Sequence, residues 1–258
     1  MTAVSIPRFD VLGVHLSAIN MDEAVDEITR WIDEGSPHYV CVTGVHGVME
    51  AQRDESLRLI HNRSGLTTPD GMPMVWAGRW AGFPGVRRVY GPDLMLALSG
   101  RAAERGWRCY LFGGKEGVAD RTAARLAAAF PRLKVVGTHS PPFRPLTEEE
   151  DAQLVQRINA ASPEIVWVGL STPKQERWMA AHVDQLTAPV LIGVGAAFDI
   201  HAGVVRQAPR WMQRSGLEWL FRLGTEPRRL ARRYLSNNPR FVIRVLRRRP
   251  HPAGSSGN

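Results

Sequence analysis

Short apolar, often β-branched runs alternate along the chain with longer stretches in which apolar residues recur every three or four positions, and the two periods predict strands and helices respectively. Strands are predicted at residues 11–14, 38–43, 65–68, 108–112, 134–138, 165–169 and 190–193, and helices at 21–34, 48–61, 93–105, 118–130, 148–161 and 174–183. Asn20 with Glu23, and Thr147 with Glu150, have the spacing of a capping box, while Pro92 and Pro173 suit first-turn positions. This alternation predicts an α/β fold, a Rossmann-like and mostly parallel sheet with helices on both faces. Beyond Ile200 no further strand is predicted, lysine disappears in favour of arginine, and the acids thin to Glu218 and Glu226. The expected organisation is an α/β domain over residues 1–201, an arginine-rich helical appendage over 202–249 and a disordered tail over 250–258.

Composition narrows the class. With 44% hydrophobic and 22% charged residues in 258, the chain has the make-up of a globular protein able to bury a full core. A formal charge of +8 and a pI near 10.3 point to an anionic partner: nucleic acid, phospholipid headgroups or a phosphorylated substrate. Cys41 and Cys109 each fall in an apolar run and read as inert core thiols of a reducing compartment. The N-terminus lacks the basic, then apolar, layout of a signal peptide, and no apolar run approaches ~18 residues, so a cytoplasmic chain that spans nothing is expected.

In a parallel sheet the residues just after each strand share the edge where ligands bind. Here they include Thr43-Gly44, Thr68-Pro69-Asp70-Gly71, Gly113-Gly114, Gly169 with Ser171, and Gly193 with Gly195. Gly113-Gly114 and Gly195 have two readings, a cradle for phosphate at a helix N-terminus or simply tight strand-to-helix turns. Asp70 is either a Pro-Asp-Gly turn residue or a general base able to take the proton of an attacking hydroxyl. Arg88 can face a phosphate or pair with Asp93. No metal site is expected, since the histidines show no paired helical spacing and no Asp-x-Asp pair occurs. A departing diphosphate would then rely on arginines and helix dipoles. Arginines interleaved with apolar residues from Arg206 to Arg249 suit an anionic membrane surface or a packed helix pair with a solvated basic face; the second reading is at least equal for Arg247 to Arg249, whereas Arg222 to Arg233 better suits phosphate binding.

Six ordered segments carry a resemblance: Thr67-Thr68-Pro69-Asp70-Gly71-Met72-Pro73, Arg88-Val89-Tyr90-Gly91-Pro92-Asp93-Leu94, Leu111-Phe112-Gly113-Gly114-Lys115, Gly169-Leu170-Ser171-Thr172-Pro173-Lys174-Gln175-Glu176, Gly193-Val194-Gly195-Ala196-Ala197-Phe198-Asp199 and Gly216-Leu217-Glu218-Trp219-Leu220-Phe221-Arg222. Together the chain resembles the WecG/TagA/CpsF glycosyltransferases over roughly residues 11–241. The resemblance implies an inverting, metal-independent and cofactor-free transfer in cell-surface or exopolysaccharide biosynthesis. The donor would be a UDP-sugar, of N-acetylmannosamine type or carrying glucose or a uronic acid, and the acceptor a polyprenyl-diphosphate-linked saccharide. It further implies a peripheral enzyme on the inner face of the plasma membrane that binds its anionic surface and no nucleic acid; whether it forms a homo-oligomer stays open. By the same resemblance Asp70 is the general base and Thr43 the active-site threonine. Arg88 and Gln175 hold the donor, Asp199 lies near the nucleobase, and Arg222, Arg229 and Arg232 close over diphosphate. Where many members read Thr-x-Asn this chain reads Thr43-Gly44-Val45 followed by His46, which either replaces the amide or is a plain helix-start histidine. Two rivals are an NAD-dependent oxidoreductase, which lacks its glycine fingerprint here, and a nucleic-acid-binding module built on the basic C-terminal region, which lacks a reading motif.

Overall fold

The computed structural model describes residues 6–254, the side chains of Arg229 and Arg233 excepted. The chain opens with β1 (Arg8–Val11), β2 (Val14–Ser17), α1 (Met21–Glu34), β3 (His38–Thr43), α2 (Val45–Ala51), α3 (Glu55–Arg63), β4 (Leu66–Pro69) and α4 (Met72–Trp80). There follow α5 (Gly91–Arg105), β5 (Arg108–Gly113), α6 (Val118–Ala129), β6 (Lys134–His139), α7 (Glu148–Ala161), β7 (Ile165–Gly169), α8 (Lys174–His182), β8 (Val190–Gly193) and α9 (Ala197–His201). The C-terminal part adds α10 (Arg210–Arg214), α11 (Glu218–Thr225), α12 (Pro227–Arg247) and β9 (His251–Pro252).

Six strands form the α/β sheet in the order β4-β3-β8-β7-β5-β6, with parallel pairing from β3 to β6 and one register shift, between Cys109 and Tyr110, where β5 meets β6. The central β7 and β8 are buried almost end to end, which is why they read as unbroken apolar runs rather than alternating ones. Both predicted capping boxes form: Asn20 and Glu23 exchange side-chain-to-backbone bonds of 2.9 and 3.1 Å, and Thr147 and Glu150 bonds of 2.9 and 3.2 Å.

Several expectations need correction. The strand expected at 11–14 is a hairpin: Leu12 and Gly13, at φ 57° and 88°, turn the chain so that β2 runs back antiparallel along β1. The helix expected at 48–61 is two, because the Asp54 side chain accepts from Leu57 N at 3.1 Å and caps a new helix. Helices α4 and α9 were not foreseen; α4 is apolar around much of its circumference, so no stripe betrays it. The tail is not wholly disordered: β9 pairs antiparallel with β1, while residues 255–258 lie outside the described part.

The domain organisation also differs. The chain divides into two compact units and passes from one to the other between 205 and 206, near the boundary expected at 201, but the C-terminal part shares its unit with N-terminal stretches. The described parts of one are residues 6–24, 42–90 and 206–254, and the other comprises 25–41 and 91–205. In the first, Phe241 and Val245 of α12 enter one apolar core with Phe9, Val11 and Leu16 of the hairpin, Val48 and Met49 of α2, and Met74 and Val75 of α4. Each such side chain contributes roughly 1.5–3 kcal/mol on burial, so the C-terminal helical part is anchored in this unit's core through α12. The second unit holds β5 to β8 with α5 to α9.

Candidate active site

Within the first unit, three neighbouring backbone segments are stitched together at the strand ends. Asp70 N donates to Thr43 O at 2.9 Å and Val89 N to Pro69 O at 3.0 Å, so Thr43, Asp70 and Arg88 start from a common frame. Gly44 is required there: a Cβ on it would lie 2.8 Å from the Asp70 carbonyl oxygen.

On this frame sits a cluster of charges. The Arg88 guanidinium pairs with Glu218 of α11 through a short contact, stands 3.6 Å from Asp70 Oδ1 and donates to Gln213 Oε1 at 3.3 Å. It also lies over the Tyr90 ring, 3.8 Å from the centroid. Glu218 and Asp70 are thus acids beside Arg88. Asp70 keeps 31% of its side-chain surface exposed against 13% for Arg88, so the carboxylate is the more accessible of the two.

The electrostatics set Asp70 apart. Burial pushes its carboxyl up to about 6; Glu218 adds to the rise, while Arg88 and Arg222 oppose it. A base poised just below neutrality can accept a proton in a transition state and is still ionised at pH 7. Burial works against charge on Arg88, but Asp70 and Glu218 outweigh it and raise its pKa, so the guanidinium stays charged. Tyr90 remains a neutral phenol, pushed up by burial and then by Glu218 and Asp70. Arg222, half-buried on α11, is coupled electrostatically to Asp70 and Glu218, and its Nε has no hydrogen-bond partner among the described residues.

Thr43 closes β3 with only 2% of its surface exposed, and its hydroxyl meets Nδ1 of the buried His61 at 3.3 Å. His46, in the first turn of α2, stands 3.7 Å from Glu50 Oε1 and 3.5 Å from Asn237 Nδ2 of α12. Arg232 is exposed on α12, and the Arg229 side chain lies outside the described residues.

The second unit holds the other expected residues. Gln175 and Glu176, in the first turn of α8, are 2% and 1% exposed. Gln175 Nε2 donates to Glu176 Oε1 at 3.1 Å and Thr172 Oγ1 to the same atom at 2.8 Å, which leaves Gln175 Oε1 and Glu176 Oε2 unpartnered among the described residues. Burial raises the Glu176 carboxyl. Two buried oxygens without partners are an arrangement that a ligand or water completes. Gly195, at φ 51°, lies beside this pair, since a Cβ on it would stand 3.5 Å from Gln175 Oε1. Packing requires a glycine at 113: a Cβ on it would come within 2.6 Å of the Gly169 carbonyl, and Gly114 N donates to Gly169 O at 3.0 Å. Asp199 is half-buried in α9, its carbonyl accepting from Val204 and Val205. Among the described residues, no three His, Cys, Asp or Glu side chains gather as metal ligands.

Sequence reasoning missed Glu218, Gln213, Tyr90, His61 and Glu176. For Glu218 there was a signal: it is one of only two acids in the arginine-rich C-terminal part, which marks it as a paired carboxylate.

A sequence profile described as the Glycosyl transferase WecG/TagA/CpsF family matches residues 9–254. Over 231 residues the chain is 27% identical to a protein of Bacillus spizizenii strain W23 named N-acetylglucosaminyldiphosphoundecaprenol N-acetyl-beta-D-mannosaminyltransferase, covering 88% of this chain and 87% of that one. A protein of the same name from Bacillus subtilis strain 168 is 27% identical over 229 residues, with the same coverage.

Proposed function

Because this chain belongs to the WecG/TagA/CpsF family of glycosyltransferases, we propose that it moves a hexose-type sugar from a UDP-sugar onto a polyprenyl-diphosphate-linked saccharide, with inversion and without a metal ion. The named Bacillus relatives support N-acetylglucosaminyl-diphospho-undecaprenol as acceptor and N-acetylmannosamine as the transferred sugar. The oxidoreductase and nucleic-acid readings fall away with family membership.

One observation carries the reading: a partly exposed carboxylate with its pKa near 6, Asp70, lies beside guanidinium groups that favour its ionised form. The acceptor hydroxyl gives its proton to Asp70 as its oxygen bonds to the anomeric carbon. The bond from that carbon to the diphosphate oxygen breaks on the opposite face, and UDP leaves with the electron pair. Arg88 and Arg222 are the cations at hand for the developing phosphate charge, and Arg88 reaches it by giving up part of its pairing with Glu218. The unpartnered oxygens of Gln175 and Glu176 suit hydroxyl or N–H groups of the donor, not its phosphates.

A lipid-linked acceptor calls for a surface that meets a bilayer. Among the described residues no helix is long and apolar enough to cross one. On α12, however, Leu235, Val242, Ile243 and Leu246 are 50–68% exposed, among the exposed Arg240, Arg244 and Arg247. This mixture fits peripheral binding to anionic lipid, here the inner face of the plasma membrane.

The test is incubation of the full chain with a panel of UDP-sugars and a short-chain prenyl-diphosphate-linked N-acetylglucosamine, with magnesium or with EDTA, followed by mass analysis. A disaccharide product formed equally in EDTA is expected. No product with any UDP-sugar, or turnover only with the cation, overturns the reading.

A further inference from the structure

Behind Thr43 lies an imidazole that the transfer step leaves unused. His61, in the last turn of α3, is fully buried. Its carbonyl accepts from Ser64 Oγ and Thr67 Oγ1, both at 2.8 Å, which anchors the backbone and hence the ring. Its Nδ1 meets Thr43 Oγ1 at 3.3 Å, while its Nε2 has no partner among the described residues. Gly47 makes room for this pair, because a Cβ on it would come within 2.9 Å of Thr43 Cγ2 and 3.7 Å of His61 Nε2.

Two neutral tautomers fit this contact. If Nε2 carries the proton, the Thr43 hydroxyl is spent on Nδ1 and a buried N–H is orphaned beside Gly47. If Nδ1 carries it, only a lone pair is left without a partner, a milder defect, since orphaned N–H groups are rarer in folded proteins than under-used acceptors. The charged form is excluded near neutrality, because burial pushes the imidazole down to about 4.

We propose that His61 is a positioning residue whose Nδ1–H donates to Thr43 Oγ1, so that the threonine's own hydroxyl proton turns away from the imidazole and is offered to the reacting sugars. This rests on the proposed function and on Thr43 being the active-site threonine that the family resemblance implies. His61 touches no substrate; it decides whether Thr43 acts as a donor or an acceptor. Nothing in the sequence pattern marked it, because a lone histidine within an amphipathic helix reads as core.

The first test is nitrogen NMR of the full chain with labelled histidine, the His61 signal being assigned with His61→Asn. Protonated Nδ1, bare Nε2 and no titration down to pH 5 are expected. A proton on Nε2, or titration near 6.5, overturns the proposal. The second test is kinetic. His61→Leu is expected to lower kcat about tenfold with donor KM within twofold and the acid limb of the pH profile unmoved, the scale of a misaligned contact. His61→Asn, whose amide N–H can stand in for Nδ1–H, is expected to recover most of that loss. Equal kcat for the wild type and His61→Leu, or no recovery with asparagine, refutes it. Should the leucine variant not fold, the tautomer of the wild type and the asparagine assay decide. Failure of the underlying reading looks different: Thr43→Val at full rate removes Thr43 from the machinery and this proposal with it. An Nε2 proton together with a slow Thr43→Val variant sinks only the role given to His61.

Discussion

In the unit formed by residues 25–41 and 91–205, the buried polar side chains at the strand ends are few and face each other: Gln175, Glu176 and Thr172 share one carboxylate oxygen and leave two acceptors open. In the unit formed by 6–24, 42–90 and 206–254, the corresponding region is a knot of charge in which Asp70, Arg88, Glu218 and Arg222 all interact. The first arrangement is suited to recognition, because unpartnered oxygens discriminate by hydrogen bonding. The second is suited to reaction, because burial, partly offset by neighbouring guanidinium groups, holds one carboxylate near the pH at which it can both lose and gain a proton. Under the proposed function, the difference teaches that one chain separates reading a substrate from transforming it, and that the two tasks leave different physical marks.

That contrast can be broken at several points. The largest effect belongs to Asp70→Asn, which removes the proton acceptor and should lower kcat by about 10²–10⁴-fold with donor KM nearly unchanged; steady-state kinetics showing a loss below fivefold would mean the base lies elsewhere. Next is Glu218→Gln. Because Glu218 raises the Asp70 pKa, its neutralisation should move the acid limb of kcat/KM to lower pH and, by freeing Arg88 to bind ionised Asp70 more tightly, reduce kcat about tenfold. A limb that moves upward would contradict the charge arrangement. On the recognition side, Glu176→Gln turns an open acceptor into a donor and should raise donor KM about fivefold, roughly the value of one hydrogen bond, with kcat and the limb unmoved. A fall in kcat instead would place Glu176 in the reaction. The smallest effect is expected from Leu235→Asp on α12: about threefold weaker sedimentation with anionic vesicles and an unchanged rate on a water-soluble acceptor. Equal vesicle binding would remove α12 from the membrane surface.

The two units also differ in how far they could be read in advance. Strands β5 to β8 and helices α6 to α8 lie within a residue or two of their expected bounds, because each is a continuous segment whose own period reports its burial. The other unit is assembled from three separated stretches, so its core depends on partners far away in sequence. That is why the β1–β2 hairpin passed for one strand and why α12 read as an appendage, although Phe241 and Val245 fill the same core as Phe9. The site follows the same rule. Asp70 and Thr43 were visible at strand ends, which are local features, and Arg88 through the family resemblance. Glu218, Gln213 and His61 were not, because each becomes functional only through a contact spanning from 18 to 130 positions.

The most direct test is the pH dependence of kcat/KM for the full chain between pH 4.5 and 9, compared with Asp70→Asn. A carboxyl raised above its ordinary value is protonated, and useless as a base, below its shifted pKa, so activity should fall as the pH drops through about 6 and recover above it. The account predicts this limb in the wild type and its absence from the residual activity of the variant. A limb that stays in Asp70→Asn, or a wild-type profile flat down to pH 4.5, would contradict it.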